Sequence, residues 1–288
     1  MAILSVQGLT KRYEKFTLDG VSFELEPGYI MGFIGRNGAG KTTTLKSMLG
    51  LVHADGGSVS MLGKDFFANE QELKQHIGFT LGGADYYPKT RIRNITDVVR
   101  RFYGNWDDAM YRKYMKRFSL DADKRPAELS GGMRVKYALT LALSHHAKLL
   151  VLDEPTSGLD PVARDDLLEL FQEIIEEGGR SILFSTHITS DLEKCADFIT
   201  YIENGRIVES RVKDDLIAAY RLVKGTSAQL DSVLPRLIAH KTHAFGFTGL
   251  MPTEALMPED GLSAEAPGLE DIMIYYARKE NVHEESAL

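Results

Sequence analysis

The sequence predicts an α/β fold on a parallel sheet, and three observations carry that prediction. Two runs, Tyr29-Ile30-Met31-Gly32-Phe33-Ile34 and Leu149-Leu150-Val151-Leu152, are continuously apolar, as strands covered on both faces of a parallel sheet must be. A helical stretch from Pro161 to Glu177 separates the second run from Ser181-Ile182-Leu183-Phe184-Ser185. Strand, helix, strand in that order implies a right-handed crossover between parallel strands. The third observation is a glycine-rich loop, Gly35 to Thr42, that joins the first run to the helix-forming stretch Thr43 to Leu49.

The remaining elements follow in order. Val21-Ser22-Phe23-Glu24-Leu25-Glu26 alternates apolar and polar residues, the period-two pattern of a strand with one buried face. Pro27-Gly28 closes it with a turn. Between about residues 83 and 146 the text turns helical and charged, including Asn94 to Tyr103 and Asp107 to Phe118, which reads as an inserted helical subdomain. Beyond about residue 212 prolines 235, 252, 258 and 267 interrupt short apolar segments, and Leu269, Ile272, Met273 and Tyr276 share one helical face. The expected division is therefore a main domain over 1–212 and a small accessory domain over 213–288.

Composition narrows the function. The chain has 288 residues, enough for a sizeable core, with 43% hydrophobic and 26% charged residues. Its 34 basic against 41 acidic side chains give a net charge of -7, which argues against a broad nucleic-acid surface built on phosphate neutralisation. The single cysteine, Cys195, cannot form an internal disulfide and suits a reducing compartment, as an apolar filler or as a reactive thiol. No apolar stretch approaches the ~20 residues needed to span a bilayer, and the N-terminus lacks a basic region followed by an apolar one. A cytoplasmic location is expected, with any membrane role borrowed from a partner chain.

The loop Gly35-Arg36-Asn37-Gly38-Ala39-Gly40-Lys41-Thr42 matches a phosphate-binding loop, placed after a buried strand and before a helix. Its glycines let the backbone curl so that N–H groups and the helix N-terminus surround phosphates. Lys41 suits the β- and γ-phosphates and the Thr42 hydroxyl suits Mg²⁺. Asp153 and Glu154 emerge at the C-terminal end of their strand, where open α/β sheets bind ligands. Asp153 suits holding Mg²⁺ and Glu154 suits polarising an attacking water. His187 leaves the same sheet edge and is placed to contact a γ-phosphate and orient Glu154 and the water.

A second glycine-rich element, Leu129-Ser130-Gly131-Gly132-Met133, precedes a helix from Met133 to Leu143. By residue type alone this is an N-capped helix after a glycine loop; with Ser130 as N-cap and free N–H groups at Gly131 and Gly132 it also suits an anion site without its own lysine. Two phosphate-facing elements would be redundant on one nucleotide. The simplest use is that this one meets the γ-phosphate held by a second subunit.

With those residues in place, the chain resembles an ATP-binding subunit of an ABC transporter over about residues 3 to 212. The resemblance implies a P-loop NTPase with a RecA-like parallel core and an antiparallel β subdomain, ATP and Mg²⁺ as cofactors, and hydrolysis of ATP. Its Walker A loop is Gly35 to Thr42, continued by Thr43; the signature is Leu129 to Met133; Asp153, Glu154 and His187 match the Walker B aspartate, the catalytic glutamate and the switch histidine. Ser157 to Asp160 match the D-loop, and Asp160 reads as helix cap or dimer contact. Tyr13 matches the aromatic that stacks on adenine and, by its residue type alone, equally suits a surface turn. The implied partners are a second ATPase subunit, identical or non-identical, and a multi-span permease on the inner face of the membrane, with no nucleic acid. The segment Phe102 to Asp107 and the tail, with Val223-Lys224-Gly225 and Leu269-Glu270-Asp271-Ile272, resemble the bacterial branch that exports drugs, antibiotics or peptides.

Two positions depart from the family pattern. The signature usually ends in glutamine where this chain has Met133. The family also has a glutamine at the position of Gly82, where it contacts Mg²⁺ near the permease, and Asp85 is a candidate oxygen ligand in its place. The rival readings are a soluble relative acting on nucleic acid or ribosomes, which would carry two ATPase units or a long coiled coil, and a phosphotransferase, which has no use for Leu129 to Met133.

Overall fold

The computed structural model of the chain describes residues 1–80 and 87–285, with side chains described as far as residue 279. The chain divides into two compact units, Met1–Ser210 and Arg211–Leu288.

In the first unit, β1 (Leu4–Arg12) and β2 (Thr17–Leu25) pair antiparallel, with Leu4 opposite Leu25. The alternation read in the sequence is realised in β2, where Leu18, Val21, Phe23 and Leu25 point inward and their neighbours face solvent. β3 (Ile30–Ile34) is buried along its whole length and leads through Gly35–Gly40 into α1 (Lys41–Met48). β4 (Gly56–Met61) and β5 (Lys64–Asp65) complete an antiparallel sheet ordered β2-β1-β4-β5. After α2 (Glu70–Lys74) and β6 (Ile77–Thr80) come α3 (Ile92–Val99), α4 (Asp108–Arg117) and α5 (Gly131–Ser144). Among the described residues from 87 to 148 there is no strand.

The chain then alternates: β7 (Leu149–Asp153), α6 (Pro161–Glu176), β8 (Ser181–Thr186), α7 (Thr189–Cys195), β9 (Phe198–Glu203) and β10 (Arg206–Val212). Among the described residues these strands join β3 and β6 in a sheet ordered β10-β9-β3-β8-β7-β6. The pairs β3/β8, β3/β9, β7/β8 and β6/β7 are parallel. Their register sets Ile34 beside Thr186 and Asp153 beside Ser185, so β3, β8 and β7 finish at one edge. α1 packs against β1, β2 and β7, and Leu45, Met48 and Leu49 join Met31, Phe33, Val151 and Leu183 in a core shared by both sheets. Burial of this apolar surface is the dominant favourable contribution to folding.

The second unit contains α8 (Lys213–Ala218), β11 (Tyr220–Gly225), α9 (Ser227–Val233), β12 (Ala239–His243), β13 (Gly246–Pro252), β14 (Ser263–Glu265) and α10 (Leu269–Glu285). Its strands form a sheet ordered β12-β13-β11-β14. α9 packs on β13 and α10 on β12 and β13. Leu269 and Ile272 are buried, as the stripe read in the sequence requires, and Tyr275 is buried with them. Met273 and Tyr276, the other two residues of that stripe, are half-buried, and the Tyr276 hydroxyl lies 2.6 Å from that of Tyr220.

Candidate active site

The phosphate-type loop is shaped by what its glycines touch. A Cβ on Gly35 would lie 2.4 Å from the Ile202 carbonyl oxygen of β9, so only glycine lets the loop pass that strand. Gly40 has φ +115°, a conformation open to glycine, and it caps α1 with the ring of Phe16 against it. From behind, the Gly205 N–H donates to the Ala39 carbonyl at 2.9 Å. Arg36, Asn37 and Gly38 are exposed, whereas Ala39, Gly40 and Lys41 are buried and Thr42 and Thr43 half-buried.

Lys41 opens α1 and its ammonium turns back over the loop, donating to the carbonyls of Gly35 at 2.7 Å and Arg36 at 3.2 Å. It also lies 3.2 Å from Glu154 Oε1. The other carboxylate oxygen of Glu154, Oε2, is 2.9 Å from His187 Nδ1. Lysine, glutamate and histidine thus form one continuous row, although they come from three different elements. Glu154 reaches it from a left-handed backbone, φ 49°, unfavourable for a side chain longer than Asn or Asp. Its N–H is held by Ser185, through the carbonyl at 3.1 Å and the hydroxyl at 3.0 Å.

Asp153 is buried at the end of β7. Its two oxygens accept from Thr42 Oγ1 at 2.8 Å and from Ser185 Oγ at 2.5 Å. A buried carboxylate needs such donors. A carboxylate beside a threonine hydroxyl is also the oxygen set that suits a hard divalent cation with few protein ligands, as Mg²⁺ bound with nucleotide phosphates is. Among the described residues no group of three or more His, Cys, Asp and Glu could hold a metal by itself. The curled loop, the buried lysine and the helix N-terminus fit a polyphosphate in the same way.

The other sequence-derived candidates lie on other elements, and one of them, Gly131, lines a cavity together with Asp153 and Glu154. Ser130 caps α5, its hydroxyl accepting from the Met133 N–H at 3.3 Å. Gly131 and Gly132 lie against Leu159 and Ala163, so the signature end of α5 is seated on the start of α6. Asp160 caps α6, accepting from the N–H groups of Val162 and Ala163, both at 3.0 Å. Of the two roles open for Asp160 in the sequence, this chain's own contacts display the cap. Tyr13 lies in the turn between β1 and β2, 47% exposed, with the Lys11 ammonium 5.6 Å from its ring centroid. The same turn carries Phe16, whose ring faces Gly40. Gly82 and Asp85 lie outside the described residues. Ser185 is the site residue that sequence reasoning missed: a lone serine in an apolar strand gives no signal until the register sets it beside Asp153.

Comparison with known proteins agrees with this geometry. Residues 18–157 match the family model described as "ABC transporter". The chain is 34% identical over 235 residues to the Nod factor export ATP-binding protein I of Burkholderia pseudomallei, covering 76% of this chain and 77% of that protein. It is 31% identical over 217 residues to the bacitracin transport ATP-binding protein BcrA of Bacillus licheniformis, covering 74% and 71%. A solved structure described as the ATP-binding subunit of an ABC transporter superposes with a TM-score of 0.66 at 28% identity, covering 74% of this chain and 91% of that one. The chain belongs to the ATP-binding subunits of ABC transporters, which hydrolyse ATP to power transport.

Proposed function

We propose that this chain binds ATP·Mg²⁺ on Gly35–Thr43, hydrolyses it with Glu154 and His187, and drives a separate membrane permease in export. The observation that supports the reading best is the row Lys41–Glu154–His187 beside the Thr42–Asp153 pair. Lys41 and the loop N–H groups hold the β- and γ-phosphates, and Tyr13 stacks on the adenine. Thr42 and Asp153 hold Mg²⁺, which supplies positive charge to the phosphate oxygens. Glu154 accepts a proton from the attacking water, and His187 fixes the Glu154 carboxylate and contacts the γ-phosphate. Ser130, Gly131 and Gly132 serve the γ-phosphate of a second subunit, with Asp160 at the same dimer contact.

The partners are thus a second ATPase subunit and a multi-span permease that holds the chain at the inner face of the membrane. Among the described residues no helix is long and apolar enough to cross a membrane. The export reading is supported by relatives named for Nod factor export and bacitracin transport, and a drug, antibiotic or peptide as cargo follows from the branch resemblance of Phe102 to Asp107 and of the tail. A steady-state comparison of the full chain with Glu154→Gln tests the chemistry. Turnover falls at least about 10²-fold, the scale of a lost general base, while ATP·Mg²⁺ binding persists. Turnover near the wild-type rate would remove Glu154 from that role.

A further inference from the structure

We infer that Asp191 is a positioning residue for the reaction, fixing the distance between Glu154 and His187 by tying together the two segments that carry them. The inference rests on the reading of Glu154 and His187 given above.

Asp191 lies on α7, four residues after His187, and is buried, 1% exposed. Thr156 lies two residues after Glu154 and is equally buried. The Thr156 hydroxyl donates to Asp191 Oδ2 at 2.6 Å. The other oxygen, Oδ1, accepts from Arg164 Nε on α6, and Arg164 Nη2 donates to Ser190 Oγ at 2.7 Å. A carboxylate withdrawn from water this completely is tolerated only when paired and hydrogen-bonded, and both of its oxygens are.

The position of the cluster gives it its role. The segments leaving β7 and β8 meet at their starts, where the Glu154 N–H is held by Ser185. They meet again beyond the catalytic pair through Thr156 and Asp191. Two loops joined at one point can hinge, whereas two loops joined on both sides of a contact hold that contact at a set distance. The contact enclosed is the 2.9 Å approach of His187 Nδ1 to Glu154 Oε2. Arg164 extends the bracket, because its neighbour Ala163 faces Gly132 of the signature end. Asp191 thereby joins the segments carrying the base and the histidine to the start of α6, where the signature end of α5 is seated.

The test measures kcat and KM for ATP on the full chain for Asp191→Asn, Thr156→Val, Thr156→Ser and His187→Ala, and for the double variant Thr156→Val/His187→Ala. Thr156→Val removes the donor and leaves the Asp191–Arg164 pair in place, so it reports on the bracket even if Asp191→Asn does not fold. The expected result is a kcat lowered about 10- to 100-fold in Thr156→Val, the scale of a small misplacement of reacting groups. KM changes less than about twofold, because the phosphate loop is untouched, and Thr156→Ser restores the rate. In the double variant Thr156→Val adds nothing to the loss caused by His187→Ala, since the two changes break one unit. A wild-type kcat in Thr156→Val while His187→Ala is slow overturns the role of Asp191 alone. Equal losses from Thr156→Val with and without His187 reduce the cluster to a structural support and overturn it too. A wild-type rate in His187→Ala overturns this inference together with the catalytic assignment beneath it.

Discussion

Glu154 sits in a left-handed conformation, φ 49°, directly after a fully buried strand. Strain of this kind costs about 1–3 kcal/mol and persists only where surrounding contacts over-determine it; here Ser185 supplies them from the neighbouring strand. Gly35 is the complementary case, a position defined by what cannot be added. Gly35→Ala would press a methyl against the Ile202 carbonyl oxygen, 2.4 Å from its ideal position. Overpacking typically costs about 1–3 kcal/mol, so a lower thermal midpoint and weaker ATP binding are expected, measured by calorimetry and nucleotide titration. Because the obstacle is main chain, Ile202→Ala should not rescue Gly35→Ala, and a rescue would show that side-chain packing shapes the loop. The candidate residues legible in the sequence are those whose spacing forms a pattern: Gly35 to Thr42, Ser130 to Gly132, Asp153 and Glu154. Ser185, Thr156 and Asp191 were not legible, because each is one polar residue whose meaning arises from a neighbour about 30 residues away in sequence.

At the scale of elements, the long apolar strands and the helix after each were readable because burial on both faces removes alternation. β1 was harder. Its inward set, Leu4 and Val6, is followed by Leu9 rather than residue 8, since Gly8 at φ 61° interrupts the register with β2. The period of two is therefore lost within the strand. The stretch from Phe102 to Asp107 carried only a family resemblance in the sequence, yet it has a definite structural task. Tyr103 stacks on His145 with ring centroids 3.8 Å apart, and Asn105 donates to the His145 carbonyl at 2.6 Å. Burial pushes the His145 imidazole down to about 4 from the usual 6.5. Between those values the unfolded chain takes up a proton that the folded chain refuses. Stability from this source is full above about pH 6.5 and is lost as the pH falls towards 4, by up to about 3 kcal/mol at 1.36 kcal/mol per unit. His145→Gln should flatten that part of the fall in thermal midpoint between about pH 7 and pH 4.5. An unchanged slope would place its source elsewhere, among the carboxylates.

For the whole molecule, the two segments proposed to face phosphate open different helices of one chain. The loop Gly35–Thr42 meets Asp153, Glu154 and His187 at the sheet edge, whereas Ser130 caps α5 over Leu159 and Ala163. A single nucleotide held on the loop has no need of both, and in the proposed function a second subunit brings them together. The decisive measurement is ATP-dependent self-association of a variant that binds nucleotide without hydrolysing it. Sedimentation of Glu154→Gln should give a dimer with ATP·Mg²⁺ and a monomer with ADP, and adding Ser130→Glu should keep the chain monomeric with ATP by setting a carboxylate against the incoming phosphate. A chain that binds ATP yet stays monomeric, or a dimer indifferent to both the nucleotide and Ser130→Glu, would contradict a composite site built from two copies of this chain.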